Sequence, residues 1–244
     1  MARGTAPRTG SVAAALMVFL SLPAGAFGAV VAVGAEAVDR QTQAALAMDA
    51  HPDRGGRLFA QYCSKCHGSR ALGDAKRLIP ALAGQRHAYL VRQLANFAGS
   101  QRDSSAMQHA VVSRSALQSP QAWTDIGAYL NGLPNGSPLT TGPGRDLERG
   151  SAVFAAHCIA CHGGDAGGDD DGFVPSLRHQ HYAYLNAQMR KLAQGYRHNL
   201  DEDFMRFLGG LEERDMSATA DYLSRMTGPR TDRKEMRDDG VVVD

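Results

Sequence analysis

The sequence predicts an all-α protein made of two tandem domains of one kind. A five-residue motif with two cysteines and a histidine occurs twice and takes up all four cysteines of the 244-residue chain. The segments around the two motifs repeat at a spacing of 95 residues. Apolar residues recur at helical intervals at the same places in both halves, and no segment alternates between apolar and polar residues as strands do. Both halves are therefore expected to share one helical fold.

The motif reads Cys-Ser-Lys-Cys-His at Cys63–His67 and Cys-Ile-Ala-Cys-His at Cys158–His162. This is the spacing of c-type haem attachment. The two thiols can each add to one of the two vinyl groups of a haem, and the adjoining histidine then lies beneath the iron. A zinc ribbon or two disulfides would use the same cysteines, but zinc knuckles rarely carry a histidine directly after each second cysteine. The sequence thus predicts two covalently attached haem c groups. They are held through Cys63, Cys66, Cys158 and Cys161, with His67 and His162 as axial iron ligands.

The repeat extends well beyond the motifs, which indicates a duplicated domain. A shift of 95 residues aligns the two halves without a gap from before the motif to well after it. The matched pairs are Arg54-Gly55 with Arg149-Gly150, Phe59 with Phe154, Pro80 with Pro175, Leu82 with Leu177, Gln85 with Gln180, Ala88–Leu90 with Ala183–Leu185 and Gln93 with Gln188. Each half has the size of a small domain, about 90 to 100 residues.

Residues 1–26 have the pattern of a secretory signal peptide. Two arginines within the first eight residues form a basic start, residues 12–22 are apolar, and Ala24–Ala26 form a small-residue cleavage site. The pattern predicts export to the bacterial periplasm, where haem is attached covalently to proteins. No charge lies between the second arginine and Glu36, a length that would span a bilayer, so an uncleaved anchor is the alternative.

The remaining chain divides into two haem domains, a linker and a tail. The first domain is predicted at 36–132, a linker rich in proline and glycine at 133–144, the second domain at 145–228, and a charged, disordered tail at 229–244. Three helices are predicted in each domain, the first ending at the haem motif and the last closing the domain. They are 54–62, 87–98 and 121–130 in the first half, and 149–157, 182–194 and 212–226 in the second.

Together these motifs resemble the dihaem class I cytochromes c of the c4 type. The shared features are two halves with Cys-x-x-Cys-His, a proline 13 residues later, a Gln-x-x-x-Tyr-Leu helix and a closing helix with Tyr-Leu. The resemblance covers residues 54–226. It implies two class I cytochrome c domains, each around one haem and related by a pseudo-twofold axis, with iron held by histidine and methionine. It also implies that the carbonyls of Pro80 and Pro175 accept a hydrogen bond from the ligand histidines.

The resemblance also indicates the sixth ligands. Met107, the one methionine between His67 and the linker, is expected in a polar loop and would bind the first iron, with His109 as the competitor. Met205 would bind the second iron. The alternative there is His198, which would make that haem bis-histidine and lower its potential.

Other polar groups receive simpler interpretations. His157 is read as a packing residue, and His179 with His181 lacks the carboxylate or cysteine that would complete a copper or zinc site. Asp165 and the run Asp169–Asp171 lack EF-hand spacing, so a solvated loop is favoured over a calcium loop.

The net charge of +1 conceals two oppositely charged halves. Residues 36–135 carry 11 Lys or Arg and 7 Asp or Glu, a net charge of +4, whereas residues 136–228 carry 9 and 13, a net charge of −4. Such a dipole orients encounters, so we hypothesise that the two ends face different partners. The alternative is that the two domains attract each other. Neither half has the charge pattern of a nucleic-acid-binding protein.

The function predicted from these features is periplasmic electron transfer, not catalysis. An upstream dehydrogenase or quinol-oxidising complex would donate electrons and a terminal oxidase would accept them, with membrane association through a partner or the N-terminus. Two alternatives stay open at this point. One is a catalytic dihaem enzyme of the peroxidase or sulfur-compound dehydrogenase type. The other is a membrane-anchored haem subunit of an oxidase or dehydrogenase complex.

Overall fold

The computed structural model describes Met1 and residues 25–135, 140–197 and 202–227. Nearly all of the predicted signal peptide, residues 136–139 of the predicted linker, His198 and the predicted tail lie outside these described residues. Within the described ranges the chain is helical, and its few extended residues form only isolated backbone bridges. The predicted all-α class is confirmed.

The helices follow the same order in both halves. The first half contains α1 (Gly25–Leu46), α2 (Pro52–Tyr62), α3 (Ser64–His67), α4 (His87–Ala98), α5 (Ser105–Val112), a short 3-10 turn (Ser115–Leu117) and α6 (Pro120–Asn131). The second contains α7 (Leu147–His157), α8 (Ile159–His162), α9 (Tyr182–Ala193), α10 (Glu202–Gly210) and α11 (Glu213–Ser224). No described helix is both long and apolar enough to cross a bilayer.

In each domain the helix before the haem motif crosses the closing helix in close contact: α2 crosses α6, and α7 crosses α11. A glycine makes each close crossing possible. A Cβ atom on Gly55 would lie 2.0 Å from the carbonyl oxygen of Asp125 in α6. A Cβ atom on Gly150 would lie 2.1 Å from the carbonyl oxygen of Ala218 in α11. The repeated Arg-Gly pair therefore marks the same helix crossing in both domains, because only glycine permits so close an approach of two backbones.

The apolar core of each domain lies between these helices and the middle helix. In the first domain Phe59, Leu90 and Leu130 are buried, with Cys63 packed against their cluster. In the second, Phe154, Leu185 and Leu223 are buried, with Cys158 against their cluster. Each core therefore adjoins the haem motif of its own domain, as burial of a haem requires.

Helix α1 belongs to the first domain alone and was not predicted. Its buried residues Val38 and Ala45 pack against Val91 and Trp123, so α1 covers the outer side of α4 and α6. Small residues make up this contact face, and their weak hydropathy contrast hides it in the sequence. Trp123 is buried in the closing helix, and its indole nitrogen donates to the carbonyl oxygen of Leu117 at 2.7 Å.

The two domains meet through a reciprocal pair of buried glutamines. The Gln85 amide donates to the Ser176 carbonyl oxygen at 2.9 Å and accepts from the Ser176 amide nitrogen at 2.8 Å. The Gln180 amide makes the same two bonds with the backbone of Ala81, at 3.0 and 2.9 Å. Gln180 follows Gln85 by 95 residues, and Ser176 follows Ala81 by 95 residues, so equivalent residues of the two domains make equivalent bonds. The interface is therefore self-complementary about a pseudo-twofold axis.

A second reciprocal contact, the interdomain arginine cluster, consists of Tyr89, Gln93, Arg102, Tyr184, Gln188 and Arg197. Arg102 donates to Gln93 of its own domain at 2.7 Å and to the Tyr184 hydroxyl of the other domain at 2.9 Å. Arg197 donates to Gln188 at 3.1 Å, and the backbones of Arg102 and Arg197 form an antiparallel bridge. Burial alone would raise the pKa of Tyr89, but the positive charges of Arg197 and Arg102 lower it. The cluster is therefore a buried, electropositive part of the domain contact.

Candidate haem-binding site

Each Cys-x-x-Cys-His motif lies at a sharp break between two helices. Helix α2 ends at Tyr62, Cys63 leaves the helix with φ −117°, and the motif then forms the single turn α3. Cys158 has φ −116° and connects α7 to α8 in the same way. Cys63 and Cys158 are half-buried, whereas Cys66 and Cys161 are exposed. One thiol of each pair thus faces the core and the other lies at the surface, which fits a haem whose attachment edge reaches solvent.

Burial affects the chemistry of the inner cysteine of each pair. It raises the pKa of Cys63 to about 11, a shift that the charge of Arg114 only partly opposes. Burial likewise raises the pKa of Cys158 to about 11. Both inner thiols are therefore protonated at neutral pH. Because the thiolate is the species that attacks disulfides and oxidants, these thiols are protected from both before haem attachment.

The geometry of both histidines suits an iron ligand. The Nδ1 atom of His67 lies 3.2 Å from the carbonyl oxygen of Pro80, and that of His162 lies 3.0 Å from the carbonyl oxygen of Pro175. A carbonyl oxygen can only accept, so each Nδ1 carries the proton and each Nε2 keeps its lone pair for a metal. The role of Pro80 and Pro175 beside a haem iron stays a prediction, and these two contacts are compatible with it.

The same histidines are electrostatically prepared for ligation. Burial lowers the pKa of His67 and that of His162, and the hydrogen bond to the proline carbonyl opposes this only in part. Both imidazoles are consequently neutral at pH 7. Neutral imidazole is the form that binds metals, so the residues present fit a haem iron in each domain.

A glycine-dependent turn connects each histidine to its proline, and sequence reasoning missed it. The Gly73 amide donates to the His67 carbonyl oxygen at 2.9 Å, and the Gly168 amide donates to that of His162 at 2.9 Å. Gly73 has φ +72°, and a Cβ atom there would lie 2.5 Å from the Pro80 carbonyl oxygen. These two glycines are 95 residues apart, so the repeat itself was the signal that could have identified them.

Met107 lies on a helix, and the prediction that it occupies a polar loop is wrong. It is the third residue of α5 and is half-buried. The polar run before it leads into that helix, and Ser104 occupies the N-cap position, where serine is favoured, without a capping hydrogen bond from its side chain. His109, the competing ligand, is exposed on the same helix.

Met205 lies at the equivalent place in the second domain. It is half-buried in α10, which packs against α9 as α5 packs against α4. The two candidate methionines therefore share a position on a short helix next to the middle helix of each domain. The competing His198 lies outside the described residues.

The other polar groups singled out in the sequence are bonded to protein groups. His181 Nε2 lies 2.7 Å from the Leu72 carbonyl oxygen, and its Nδ1 lies 3.0 Å from the Thr140 hydroxyl. Asp165 pairs with Arg178, and Asp170 accepts from the Ala88 amide at 2.9 Å. Among the described residues, no three histidine, cysteine or carboxylate side chains come together as a metal site. His157 stacks on Phe207 with 4.5 Å between ring centres, a packing role.

Comparison with known proteins agrees with this geometry. The chain matches the cytochrome c family over residues 52–133 and again over 147–227. It is 30% identical over 175 residues to cytochrome c4 of Stutzerimonas stutzeri, covering 66% of this chain and 82% of that protein. It is 28% identical over 204 residues to a thiosulfate dehydrogenase electron acceptor of the same species. That match covers 80% of this chain and 92% of the other protein.

Solved structures share the fold. Reduced recombinant cytochrome c4 from Pseudomonas stutzeri superposes with a TM-score of 0.63 at 24% identity, covering 73% of this chain and all of that one. A thiosulfate dehydrogenase from Marichromatium purpuratum, in its as-isolated form, superposes with a TM-score of 0.60 at 25% identity. That match covers 71% of this chain and 40% of the other.

The chain belongs to the cytochrome c family. Its two tandem domains make it a dihaem class I cytochrome of the c4 type, and it is an electron-transfer protein. Each domain binds one haem c covalently, through Cys63 and Cys66 in the first domain and through Cys158 and Cys161 in the second.

Proposed function

We propose that this cytochrome is an exported, periplasmic carrier that takes electrons from a dehydrogenase and passes them to a terminal oxidase. The observation that supports this most directly is that the two domains carry the same set of candidate ligands. In each, a proline carbonyl fixes a neutral imidazole, and a half-buried methionine lies on a short helix of the same domain. A haem iron held by histidine and methionine has no free position for a substrate and changes its oxidation state without binding one.

In the proposed function, the protein orients the two ligand histidines, keeps water away from the haems and leaves one edge of each haem accessible to a partner. The bonds from His67 to Pro80 and from His162 to Pro175 prevent the rings from turning, which limits rearrangement when the charge changes. The buried apolar clusters around Phe59 and Phe154 would exclude water from the inner side of each haem, because they pack against Cys63 and Cys158. The exposed outer cysteines bring the attachment edges to the surface, where a partner can approach.

The donor that we propose is a thiosulfate dehydrogenase. Two relatives are named as electron acceptors of such an enzyme, and a solved thiosulfate dehydrogenase shares the fold over most of this chain. The test mixes the oxidised cytochrome with a thiosulfate dehydrogenase and thiosulfate in a stopped-flow spectrometer. We expect rapid reduction of both haems with the enzyme present, and none with thiosulfate alone. Reduction by thiosulfate alone would contradict the carrier role and favour a catalytic one.

The iron ligands are tested by the weak far-red band that methionine sulfur gives on ferric haem. We propose His67 with Met107 for the first iron and His162 with Met205 for the second. Met107→Ala and Met205→Ala should each remove half of the band. Met189→Ala is the matched control, because Met189 is half-buried in the second core and is not a proposed ligand; it should leave the band unchanged.

A different result would change the proposed function. Suppose that the far-red band of the wild type has the intensity expected for one methionine-ligated haem, and that Met205→Ala leaves this intensity unchanged. This result would reject methionine ligation of the second iron. That outcome favours bis-histidine ligation or the catalytic dihaem enzyme. The mass of the mature chain distinguishes a cleaved signal peptide from a retained anchor, and a retained N-terminus would indicate a membrane-bound subunit.

A further inference from the structure

Equivalent loops of the two domains differ in what surrounds them. Each loop lies between the haem-binding histidine and its proline: residues 74–78 form the domain 1 loop and residues 169–173 form the domain 2 loop. Both are closed by an antiparallel backbone bridge, from Asp74 to Ile79 and from Asp169 to Val174. Both end on an apolar residue with positive φ, Leu78 at +55° and Phe173 at +55°. The backbone is therefore the same in both domains, and the difference lies in the side chains.

The first domain covers the domain 2 loop. Asp170 accepts a hydrogen bond from the Ala88 amide in the first turn of α4, at 2.9 Å, and lies 3.6 Å from Arg86. The guanidinium of Arg92 lies over the Phe173 ring, 5.4 Å from its centre. Phe173 is half-buried as a result. This loop is part of the domain contact and is not available as a whole to another protein.

In the part of the chain that the structure describes, no hydrogen bond, ion pair or ring contact links the second domain to the domain 1 loop. The residue equivalent to Arg92 in the second domain is Ala187, which is too short to reach across. Leu78 is 47% exposed, and both Lys76 and Arg77 beside it are exposed. Among the residues that the structure describes, no ion pair includes Lys76 or Arg77. Leu78 thus holds a left-handed conformation that is unfavourable for a residue with a side chain, and nearly half of its surface stays exposed.

The charges of the two loops are opposite. The domain 1 loop carries Lys76 and Arg77 against Asp74, whereas the domain 2 loop carries three consecutive aspartates. Two further exposed cations, Lys65 and Arg70, flank the first haem motif. The domain 1 loop is also held close to the first haem ligand, because the Gly73 amide bonds to the His67 carbonyl and Pro80 follows the loop. An exposed apolar residue among cations therefore lies beside the first redox centre.

We propose that the domain 1 loop is the docking surface for a redox partner whose own surface carries carboxylates around an apolar recess. Leu78 would enter the recess, and Lys76 and Arg77 would pair with the surrounding carboxylates. Interfaces commonly combine an apolar centre with a charged rim, and the charges govern the encounter rate. The proposal rests on the carrier function and assigns one partner of that carrier, by its chemistry, to the first domain.

The test uses an electrode as a defined partner. The probe is a gold electrode coated with a mixed monolayer of carboxylate-terminated and methyl-terminated alkanethiols, on which the full-length dihaem protein is adsorbed. We expect the wild type to adsorb and exchange electrons through one haem. Leu78→Ser and the double variant Lys76→Glu/Arg77→Glu should each lower the interfacial electron-transfer rate or the adsorbed amount by about tenfold. Val112→Ser is the control, since Val112 is 49% exposed in the same domain but lies on α5.

The outcomes separate this proposal from the carrier function. If the wild type exchanges electrons and the loop variants match it, the docking surface is elsewhere and the carrier function stands. If the double variant exchanges electrons with the electrode faster than the wild type does, Lys76 and Arg77 hinder docking instead of promoting it, and the proposal is overturned. If the wild type exchanges no electrons with any coating, including an amine-terminated one, the carrier function itself fails. Potentials measured in solution with small-molecule mediators should be equal for all variants, which excludes an effect on the haem.

Discussion

At the scale of single residues, the haem sites depend on backbone atoms as much as on side chains. The imidazoles of His67 and His162, the proposed iron ligands, bond to proline carbonyls, and those carbonyls are held in place by a turn that requires glycine. Gly73 and Gly68 both have positive φ, at +72° and +77°, but their surroundings differ. A Cβ atom on Gly73 would meet the carbonyl oxygens of Ile79 and Pro80, whereas one on Gly68 would meet nothing within 4 Å.

This contrast gives a matched pair of substitutions. Gly68→Ala should cost only the backbone strain, about 1–3 kcal/mol, because φ +77° with ψ 155° is a conformation that almost only glycine adopts. Gly73→Ala should add the displacement of the Pro80 carbonyl and cost roughly 2–5 kcal/mol in total. Urea unfolding of the holoprotein, followed at the haem absorption band, measures both. Gly73→Ala should also shift the potential of the first haem, and equal effects of the two variants would contradict the role assigned to the turn.

At the scale of helices and their contacts, the sequence predicted the helix before each haem motif, the middle helix and the closing helix, but it missed α1 and the two methionine-bearing helices α5 and α10. Helix α4 begins and ends as predicted, and the helices that lead into the haem motifs begin two residues early. The second domain confirmed each of these patterns independently. Helix α1 occurs once and packs through small residues, so neither the repeat nor hydropathy revealed it. The contacts between the domains were also not predicted. Gln85 and Gln180 were recognised as a repeated pair, but their bonding partners, Ser176 and Ala81, come close to them only in the folded chain.

The glutamine pair yields a prediction with an internal symmetry check. Gln85→Ala leaves the Ser176 amide and carbonyl without partners, and Gln180→Ala does the same to Ala81. A buried polar group without a partner costs about 1–3 kcal/mol, so each variant should weaken the domain contact. Hydrogen exchange should speed up at the Ser176 amide in the first variant and at the Ala81 amide in the second.

The control for this experiment is Gln61→Ala, because Gln61 is exposed on α2. It should leave both amides protected. Faster exchange at both amides in each single variant would mean that the domains separate as a whole. Unchanged exchange in both variants would show that the glutamines contribute nothing to the contact.

At the scale of the whole molecule, few charged groups of opposite sign pair across the domain contact. Among the ion pairs of the described residues, only Arg86 with Asp170 joins the domains, and the glutamine pair that holds them is neutral. The alternative in which the charge difference serves to attract one domain to the other therefore has little structural support. The charged residues outside the domain contact are available to direct two different partners to two different ends, whereas Arg86, Arg102 and Asp170 belong to the contact itself.

This arrangement predicts how salt affects each half of the electron-transfer cycle. If the basic domain meets an acidic partner and the acidic domain a basic one, both second-order rate constants should fall as salt is raised. Screening becomes strong once the Debye length drops to about 10 Å, near 0.1 M salt. Stopped-flow rates with the donor enzyme and with the oxidase measure the two reactions separately, and a neutral small-molecule reductant serves as the control, with a salt-independent rate. Lys76→Glu/Arg77→Glu should flatten the salt dependence for one partner only, because the charges of the second domain are untouched. If the second-order rate constants with both partners are independent of salt concentration, the charge difference between the domains does not direct encounters.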